Sequence, residues 1–166
     1  MTSRIYPEAL VIGVDPGPTP GVVALWCEGS AIVNAWIAQC SAEMTPFILN
    51  ALVRVARDQV DARVVRLAIE AFVVSYRSGR SATPKAGRIT RDMIGLLTGW
   101  AAGHGIPCHT RSAVTVKAWA TDTRLKAAGL IEETKGMPHA RDAARHALYE
   151  GVHESIIPDP LSNKSV

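Results

Sequence analysis

The hydrophobic pattern predicts three consecutive strands near the start of the chain. Residues 9–14 form a continuous apolar run that ends at Asp15 and is broken by Pro16 and Gly17, which is typical of a buried strand followed by a turn. Two further strand-like runs follow, "GVVALWCEG" and "AIVNAWIAQ". Because only short turns separate the three runs, we expect an antiparallel meander.

The rest of the pattern predicts alternating helices and strands. "SAEMTPFILNALVRVARDQV" has helical spacing, with Phe47 and Leu49 on its apolar face. "VVRLAIEAFVV" is apolar on both faces apart from Arg66 and Glu70, which indicates a central strand parallel to the first. After a polar, loop-like stretch come a helix in "ITRDMIGLLTGWAAGHG", a short strand in "IPCHTRS", helical pieces in "AVTVKAWA" and "TRLKAAGLIEETKG", and a last helix that begins at Pro138.

This order predicts an α/β fold with one five-stranded mixed sheet: three antiparallel strands, then two parallel strands, with helices on both faces. The chain has 166 residues, of which 48% are hydrophobic and 20% are charged, as in one globular domain. We expect this domain to span residues 1–155 and residues 156–166 to form a flexible tail. Three cysteines without close pairing indicate reduced thiols, and the chain shows neither a signal peptide nor an apolar run of about 20 residues. We therefore expect a cytoplasmic protein that does not contact a membrane.

Three carboxylates and one imidazole stand out by their positions. Asp15 ends the first strand, Glu70 interrupts the fourth, and Asp142 lies in the first turn of the last helix with His139 three residues before it. If the first and fourth strands are neighbours, Asp15 and Glu70 emerge side by side. Crowded carboxylates repel unless a cation neutralises them, and oxygen ligands with one imidazole suit Mg²⁺ or Mn²⁺. Two such ions about 3.5–4 Å apart can clamp the attacking and leaving oxygens of a phosphodiester.

Each of these residues also has a plain structural interpretation. An aspartate before Pro-Gly, such as Asp15, is often a turn former, and Glu70 can serve a structural salt bridge. Asp142 can interact with the helix macrodipole, and His139 can be an ordinary surface histidine. Their combination in this strand order favours one metal site over four separate roles.

The same residues carry a family resemblance. Asp15 in "GVDPG", Glu70 in "LAIEAF", and His139 with Asp142 in "PHARDAARHAL" look like the signature of RuvC-type Holliday junction resolvases, which belong to the ribonuclease H-like superfamily. The resemblance covers nearly the whole chain in the family's element order. The H-x-x-D-A element is its most specific part, whereas other ribonuclease H-like and actin-like proteins share D-P-G.

The resemblance implies a ribonuclease H-like fold and a metal site in which Asp15 bridges two Mg²⁺ ions. Glu70, His139 and Asp142 complete the ligand set, and Mn²⁺ is able to substitute. It also implies a homodimer without an organic cofactor that nicks strands of like polarity across a four-way DNA junction, leaving 5′-phosphate and 3′-hydroxyl ends. Lys117 in "TVKAWA" matches the family's lysine after the fifth strand.

Other positions match the family less closely. Lys126 corresponds to a second family lysine with a shorter spacing, and "WATDTRLK" replaces a Gly-rich loop. The turn "DPGPTPG" is richer in proline than usual. These departures affect substrate selectivity more than chemistry, and they are consistent with a divergent, phage-type member. His146, one turn after Asp142 on the same helix face, is a further candidate for the site.

A basic stretch without an acidic residue follows the strand that carries Glu70. Its members are Arg77, Arg80, Lys85, Arg88 and Arg91. Beside a cleavage centre such a loop would bind DNA phosphates with little sequence preference; the alternative is a solvated loop that binds nothing. Phe72 and Tyr76 are candidates for stacking on an opened base, and strand alternation would instead bury Phe72 in the core.

These observations predict a Mg²⁺-dependent, structure-selective endonuclease of DNA recombination and repair. In this hypothesis, metal-activated water attacks the phosphodiester in line, His139 and Asp142 place or activate that water, and Lys117 stabilises developing charge. The nearest alternative is a less selective nuclease of the same fold that acts on flaps, branches or RNA–DNA hybrids. A non-catalytic junction-binding scaffold is disfavoured because all the acidic positions are present. An actin-like or sugar-kinase domain would need a longer chain and a second Gly-rich loop.

Overall fold

The computed structural model describes residues 8–59, 62–73 and 84–162. Within these residues the strands are β1 (Ala9–Asp15), β2 (Gly21–Glu28), β3 (Ala31–Gln39), β4 (Val64–Ala71) and β5 (Cys108–Ser112). The helices are α1 (Thr45–Gln59), α2 (Pro84–Gly103), α3 (Ala113–Trp119), α4 (Asp122–Ala127), α5 (Leu130–Glu133) and α6 (Pro138–His153). No helix in this part of the chain is long and apolar enough to cross a membrane.

The strands form one mixed sheet in the order β3-β2-β1-β4-β5. β1 and β2 pair antiparallel, as do β2 and β3, whereas β4 runs parallel to β1 and β5 runs parallel to β4. The predicted α/β class and strand arrangement are confirmed. Val14 of β1 pairs with Ile69 of β4, so Asp15 and Glu70 emerge side by side at the same edge of the sheet.

Alternate residues of β1 enter two separate hydrophobic cores. Leu10, Ile12 and Val14 pack with residues of α1 and α2 on one face. Val11 packs with residues of α6 on the other face. Because side chains alternate along a strand, Asp15 shares the α6 face with Val11. The strand pattern therefore directs the first carboxylate toward the helix that carries the other predicted ligands.

Helix α2 begins at Pro84, earlier than expected, so part of the basic stretch predicted as a loop is helical. A proline is favoured at the first helical position because its missing N–H would be unpaired there. The basic residues affected are Lys85, Arg88 and Arg91. Tyr76, Arg77 and Arg80 lie outside the described residues.

Two other expectations are wrong in detail. Phe47 is 67% exposed, because on a helix it lies on the opposite side from Leu49, which faces the sheet. Ile156 and Ile157 begin the segment expected to be a flexible tail, but both are buried in the core beneath α6. Asp159 then pairs with Arg124 at 3.0 Å, so the chain packs on the domain beyond α6.

Candidate active site

Helix α6 lies directly on the backbone of β1 and β2. A Cβ atom added to Gly13 would overlap the backbone of Ala143, and one added to Gly21 would overlap the backbone of His139. The face of α6 that meets the sheet is lined by small buried residues, which are Ala140, Ala143, Ala144 and Ala147. This close approach requires glycine on the strands and alanine on the facing side of the helix. It brings the first turn of α6 to the strand end where Asp15 lies.

The side chain of Gln39, at the end of β3, holds the first turn of α6. Its Oε1 atom accepts hydrogen bonds from the backbone N–H groups of His139, at 2.9 Å, and Ala140, at 3.4 Å. The first N–H groups of a helix have no partner within the helix, so Gln39 acts as a cap supplied by a neighbouring strand. Sequence reasoning missed Gln39, because nothing in a local pattern signals a cap from 100 residues earlier.

Asp15 and His139 are in direct contact. The Nδ1 atom of His139 lies 2.8 Å from the Oδ2 atom of Asp15, whose side chain is 11% exposed. Burial and the nearby Glu70 raise the pKa of Asp15 to about 6; Asp142 adds to this rise, and His139 opposes it. Glu70 and Asp142 are therefore close enough to Asp15 to repel its ionised carboxylate.

Glu70 faces His146, which lies on the inner side of α6. The Oε2 atom of Glu70 is 3.4 Å from the Nε2 atom of His146. Both atoms are buried, and neither has a hydrogen-bond partner among the described residues. His146, a further candidate for the site from its helix position, therefore lies beside Glu70.

Two cationic side chains hold the carboxylate of Asp142. Lys117 donates to Oδ2 at 2.7 Å, and Arg145 donates to Oδ1 at 2.5 Å. Arg145 also donates to Asp122 at 2.5 Å and to the carbonyl oxygen of Ala120 at 3.2 Å. It thereby joins α6 to the start of α4. Arg145 was not predicted, although its position three residues after Asp142 on one helix is the spacing at which side chains interact.

Comparisons with known proteins bear on the fold. No known protein family matches the sequence, and no curated protein does. Thermus thermophilus RuvC aligns with a TM-score of 0.57 at 20% identity, over 89% of this chain and 96% of that chain. T. thermophilus RuvC in complex with a Holliday junction substrate aligns with a TM-score of 0.58 at 18% identity, with the same coverage. This chain has the RuvC fold. The ribonuclease H-like architecture expected from the resemblance is therefore confirmed.

On this RuvC fold, four polar residues spaced one turn apart follow the side of α6 and its C-terminal end: Asp142, His146, Glu150 and Glu154. Glu150 is fully buried. Its carboxylate lies 2.8 Å from Nδ1 of His109 and accepts a hydrogen bond from Arg111. The row therefore continues the polar site along the underside of the helix, away from the strand ends.

A second cluster of potential metal ligands lies along this row. Among the described residues, three ligand atoms within 4.8 Å of one another occur at His109, Glu150 and Glu154, and not among the four predicted ligands. This cluster was not predicted. Arg111 pairs with Glu150, and Arg66 lies 3.5 Å from Glu154, so guanidinium groups already neutralise these carboxylates.

The start of α2 borders the end of β4. A cleft of about 190 Å³ is lined by Pro16, Glu70, Ala71, Phe72, Val73 and Thr90. The guanidinium of Arg91 lies 5.3 Å above the ring of Phe72, and the ring also approaches Gly87. Phe72 is therefore engaged by α2. Lys85 and Arg88 are exposed on the same helix.

Lys126 is exposed on α4, and its side chain forms no hydrogen bond or ion pair with another described residue. It lies one turn after Asp122, which binds Arg145. The structure thus brings Lys117 to the predicted ligands and leaves Lys126 at the border of the site.

Proposed function

We propose that this protein is a divalent-metal-dependent DNA endonuclease that cleaves four-way junctions. The observation that carries the proposal is the position of Asp15 at the edge of the sheet, where burial and repulsion by Glu70 and Asp142 raise its pKa to about 6. A cation relieves such repulsion. A protein of the same fold, T. thermophilus RuvC, is known in complex with a Holliday junction substrate, which supports branched DNA as the substrate class.

The donor set fits a hard divalent cation. Carboxylate oxygens with one imidazole are typical of Mg²⁺ and Mn²⁺ sites. Among the described residues, neither Asp15 nor Glu70 forms an ion pair with a lysine or an arginine, so part of the negative charge at this edge of the sheet is unpaired. We propose that Asp15, Glu70, His139 and Asp142 hold two Mg²⁺ ions, with Mn²⁺ able to substitute. When bound, these ions would supply Lewis-acid activation of the phosphodiester and of the attacking water.

The protein's own residues would orient the reacting groups. Asp15 is fixed on a buried strand, and His139 is held against it by the first turn of α6. Lys117 is 44% exposed beside Asp142, where its ammonium group can stabilise negative charge that develops on a phosphate. Arg145 holds the other oxygen of Asp142, so this carboxylate keeps one orientation.

We also propose that basic residues around α2 contact DNA phosphates. These are Lys85, Arg88 and Arg91 of the helix, together with Arg77 and Arg80, which lie outside the described residues. Lys126 would contribute from α4. Tyr76, also outside the described residues, is the proposed stacking residue, because Phe72 is engaged by Arg91. Paired nicks require two active sites, which a homodimer would supply. Light scattering coupled to gel filtration measures the molar mass in solution and so tests for the dimer.

The decisive experiment incubates purified protein with a labelled mobile four-way junction, with and without Mg²⁺, and maps the nicks. We expect metal-dependent nicks in two strands of like polarity. Asp15→Asn should abolish cleavage and retain junction binding, whereas Glu132→Gln, at an exposed position of α5, should behave as wild type. Cleavage by Asp15→Asn would contradict the assignment.

Parallel reactions separate the neighbouring hypotheses. Y-forks, flaps and RNA–DNA hybrids are incubated under the same conditions as the junction. Equal cleavage of all substrates would favour the less selective nuclease. Junction binding without cleavage in either Mg²⁺ or Mn²⁺ would favour the non-catalytic scaffold.

A further inference from the structure

His146 is a buried imidazole whose Nε2 atom has no hydrogen-bond partner among the described residues. Its side chain is 1% exposed. The nearby buried positions of the same helix include Ala143, Ala144 and Ala147. Burying a polar atom without a hydrogen bond destabilises the folded state, so an apolar residue would be more favourable at this position. Packing alone therefore does not explain the histidine.

The unpaired atom of His146 is directed at Glu70. It lies 3.4 Å from Oε2, and Oε2 is likewise buried and without a hydrogen bond. A typical N–H···O bond is about 2.9 Å long, so a small movement of the Glu70 side chain closes the gap. Of the two carboxylate oxygens of Glu70, only Oε2 is buried and unpartnered, which leaves Oε1 for another ligand.

We propose that His146 is a positioning residue for Glu70. The inference rests on the proposed function, in which Glu70 holds a divalent cation. In this inference Nε2 of His146 carries a proton and donates it in a hydrogen bond to Oε2, which leaves Oε1 of Glu70 to bind the cation. Carboxylate ligands of metal sites are commonly held by such a hydrogen bond, and loss of the outer partner typically lowers metal affinity about 10–100-fold.

The test measures Mn²⁺ binding by the purified protein without DNA, using isothermal titration calorimetry. His146→Leu places an apolar side chain at this position and removes the N–H donor, whereas His146→Gln provides an N–H donor from its side-chain amide. We expect the Kd for Mn²⁺ to rise about 10–100-fold in His146→Leu and to return close to the wild-type value in His146→Gln. His153→Leu, at an exposed position of the same helix, is the matched control and should bind as wild type does.

A second measurement is made on the wild-type protein, and a variant is used only to assign the signal. Nitrogen-15 NMR of the imidazole rings reports which nitrogen carries the proton, and the spectrum of His146→Gln assigns the signal. We expect the proton of His146 on Nε2. A proton on Nδ1 with a bare Nε2 would overturn the inference, even if His146→Leu failed to fold.

The outcomes separate this inference from the function on which it rests. If wild type and Asp15→Asn bind Mn²⁺ equally, the proposed function falls and the role of His146 falls with it. If wild type binds Mn²⁺ through Asp15 and His146→Leu binds as tightly, only the role of His146 falls. Weak binding by both His146 variants would also overturn it, because a restored donor should restore affinity.

Discussion

The Nδ1 atom of His139 lies 2.8 Å from the Oδ2 atom of Asp15, across 124 positions of the chain. This contact joins the central strand to the first turn of α6. It forms because Gly21 lets the helix lie on the backbone of β2 and Gln39 caps the helix start. Backbone packing thus determines where these polar side chains meet.

Gly21→Ala should therefore damage the site without touching a polar group. The added Cβ atom would overlap the backbone of His139, which cannot move aside as a flexible side chain can. We expect the free energy of unfolding to fall by about 1–3 kcal/mol and most junction cleavage to be lost. Urea denaturation and a nicking assay measure the two effects.

The control for this change is Gly99→Ala in the interior of α2. A Cβ atom there would meet nothing within 4 Å, so the substitution should raise the free energy of unfolding by roughly 0.5–1 kcal/mol. If Gly21→Ala proved as stable and active as Gly99→Ala, the close seating of α6 would be contradicted.

Asp15→Asn should stabilise the metal-free protein at neutral pH. Because the pKa of Asp15 is raised from 3.8 to about 6, the folded protein binds a proton more tightly than the unfolded chain does. The stability that comes from this protonated carboxyl is fully present below pH 3.8, the pKa in the unfolded chain, and is lost as pH rises through about 6. Above pH 7 the ionised carboxylate therefore destabilises the folded state by at most about 3 kcal/mol. Asparagine has no charge to bury.

Urea unfolding in EDTA at two pH values measures the difference in unfolding free energy between Asp15→Asn and the wild type. We expect Asp15→Asn to be more stable than the wild type by about 1–3 kcal/mol near pH 7.5, and we expect this difference to fall to about 0.5 kcal/mol near pH 4 and to vanish below about pH 3. A difference that stayed constant with pH would show that burial and carboxylate repulsion are not its cause.

Lys117→Met should slow cleavage more than it weakens DNA binding. Lys117 lies 2.7 Å from Asp142, and removing one group that stabilises developing charge typically costs about 100-fold or more in rate. Single-turnover cleavage and a junction-binding titration separate the two quantities. Lys135→Met, at an exposed position after α5, is the control and should retain the wild-type rate. An equal loss in both variants would indicate a general effect of charge.

Arg145→Ala should free one side of Asp142. The guanidinium of Arg145 contacts Asp142 and Asp122 at 2.5 Å each, so its loss leaves Asp142 bound by Lys117 alone. We expect a loss of about 1–3 kcal/mol in stability and a higher Mg²⁺ requirement for cleavage. Arg54→Ala, which breaks an exposed pair on α1, should change stability by less than about 0.5 kcal/mol.

The strand pattern was sufficient to predict the sheet, because turn residues bound each run and β4 is apolar apart from Arg66 and Glu70. The start of α2 was missed, since the polar residues around Lys85 show no apolar period and only Pro84 marks the helix. Local pattern thus predicts an element when one of its faces is strongly apolar, and fails where the face is polar.

Asp15 and Glu70 could be selected as candidate ligands because one ends and the other interrupts an apolar strand, whereas His139 and Asp142 stood out through the family resemblance. The contacts that support these ligands could not be predicted. Gln39 and Arg145 act on the site through the way α6 lies on the sheet, and a linear pattern carries no information on which side chains that placement brings together. The pairing of Glu150 with Arg111, 39 positions apart, is of the same kind.

The row of polar residues along the side of α6, from Asp142 to Glu154, also fixes the position of that helix along the sheet. A slide of one turn, about 5.4 Å, would carry Glu150 to the level now held by His146 and set two acidic groups against each other at Glu70. Intermediate positions would break the pairs with Arg111 and Lys117 together. Only one position of α6 on the sheet therefore satisfies all of these pairs. We expect the protein to keep its nicking activity on warming until α6 separates from the sheet, so that heat inactivation coincides with cooperative unfolding of the whole domain.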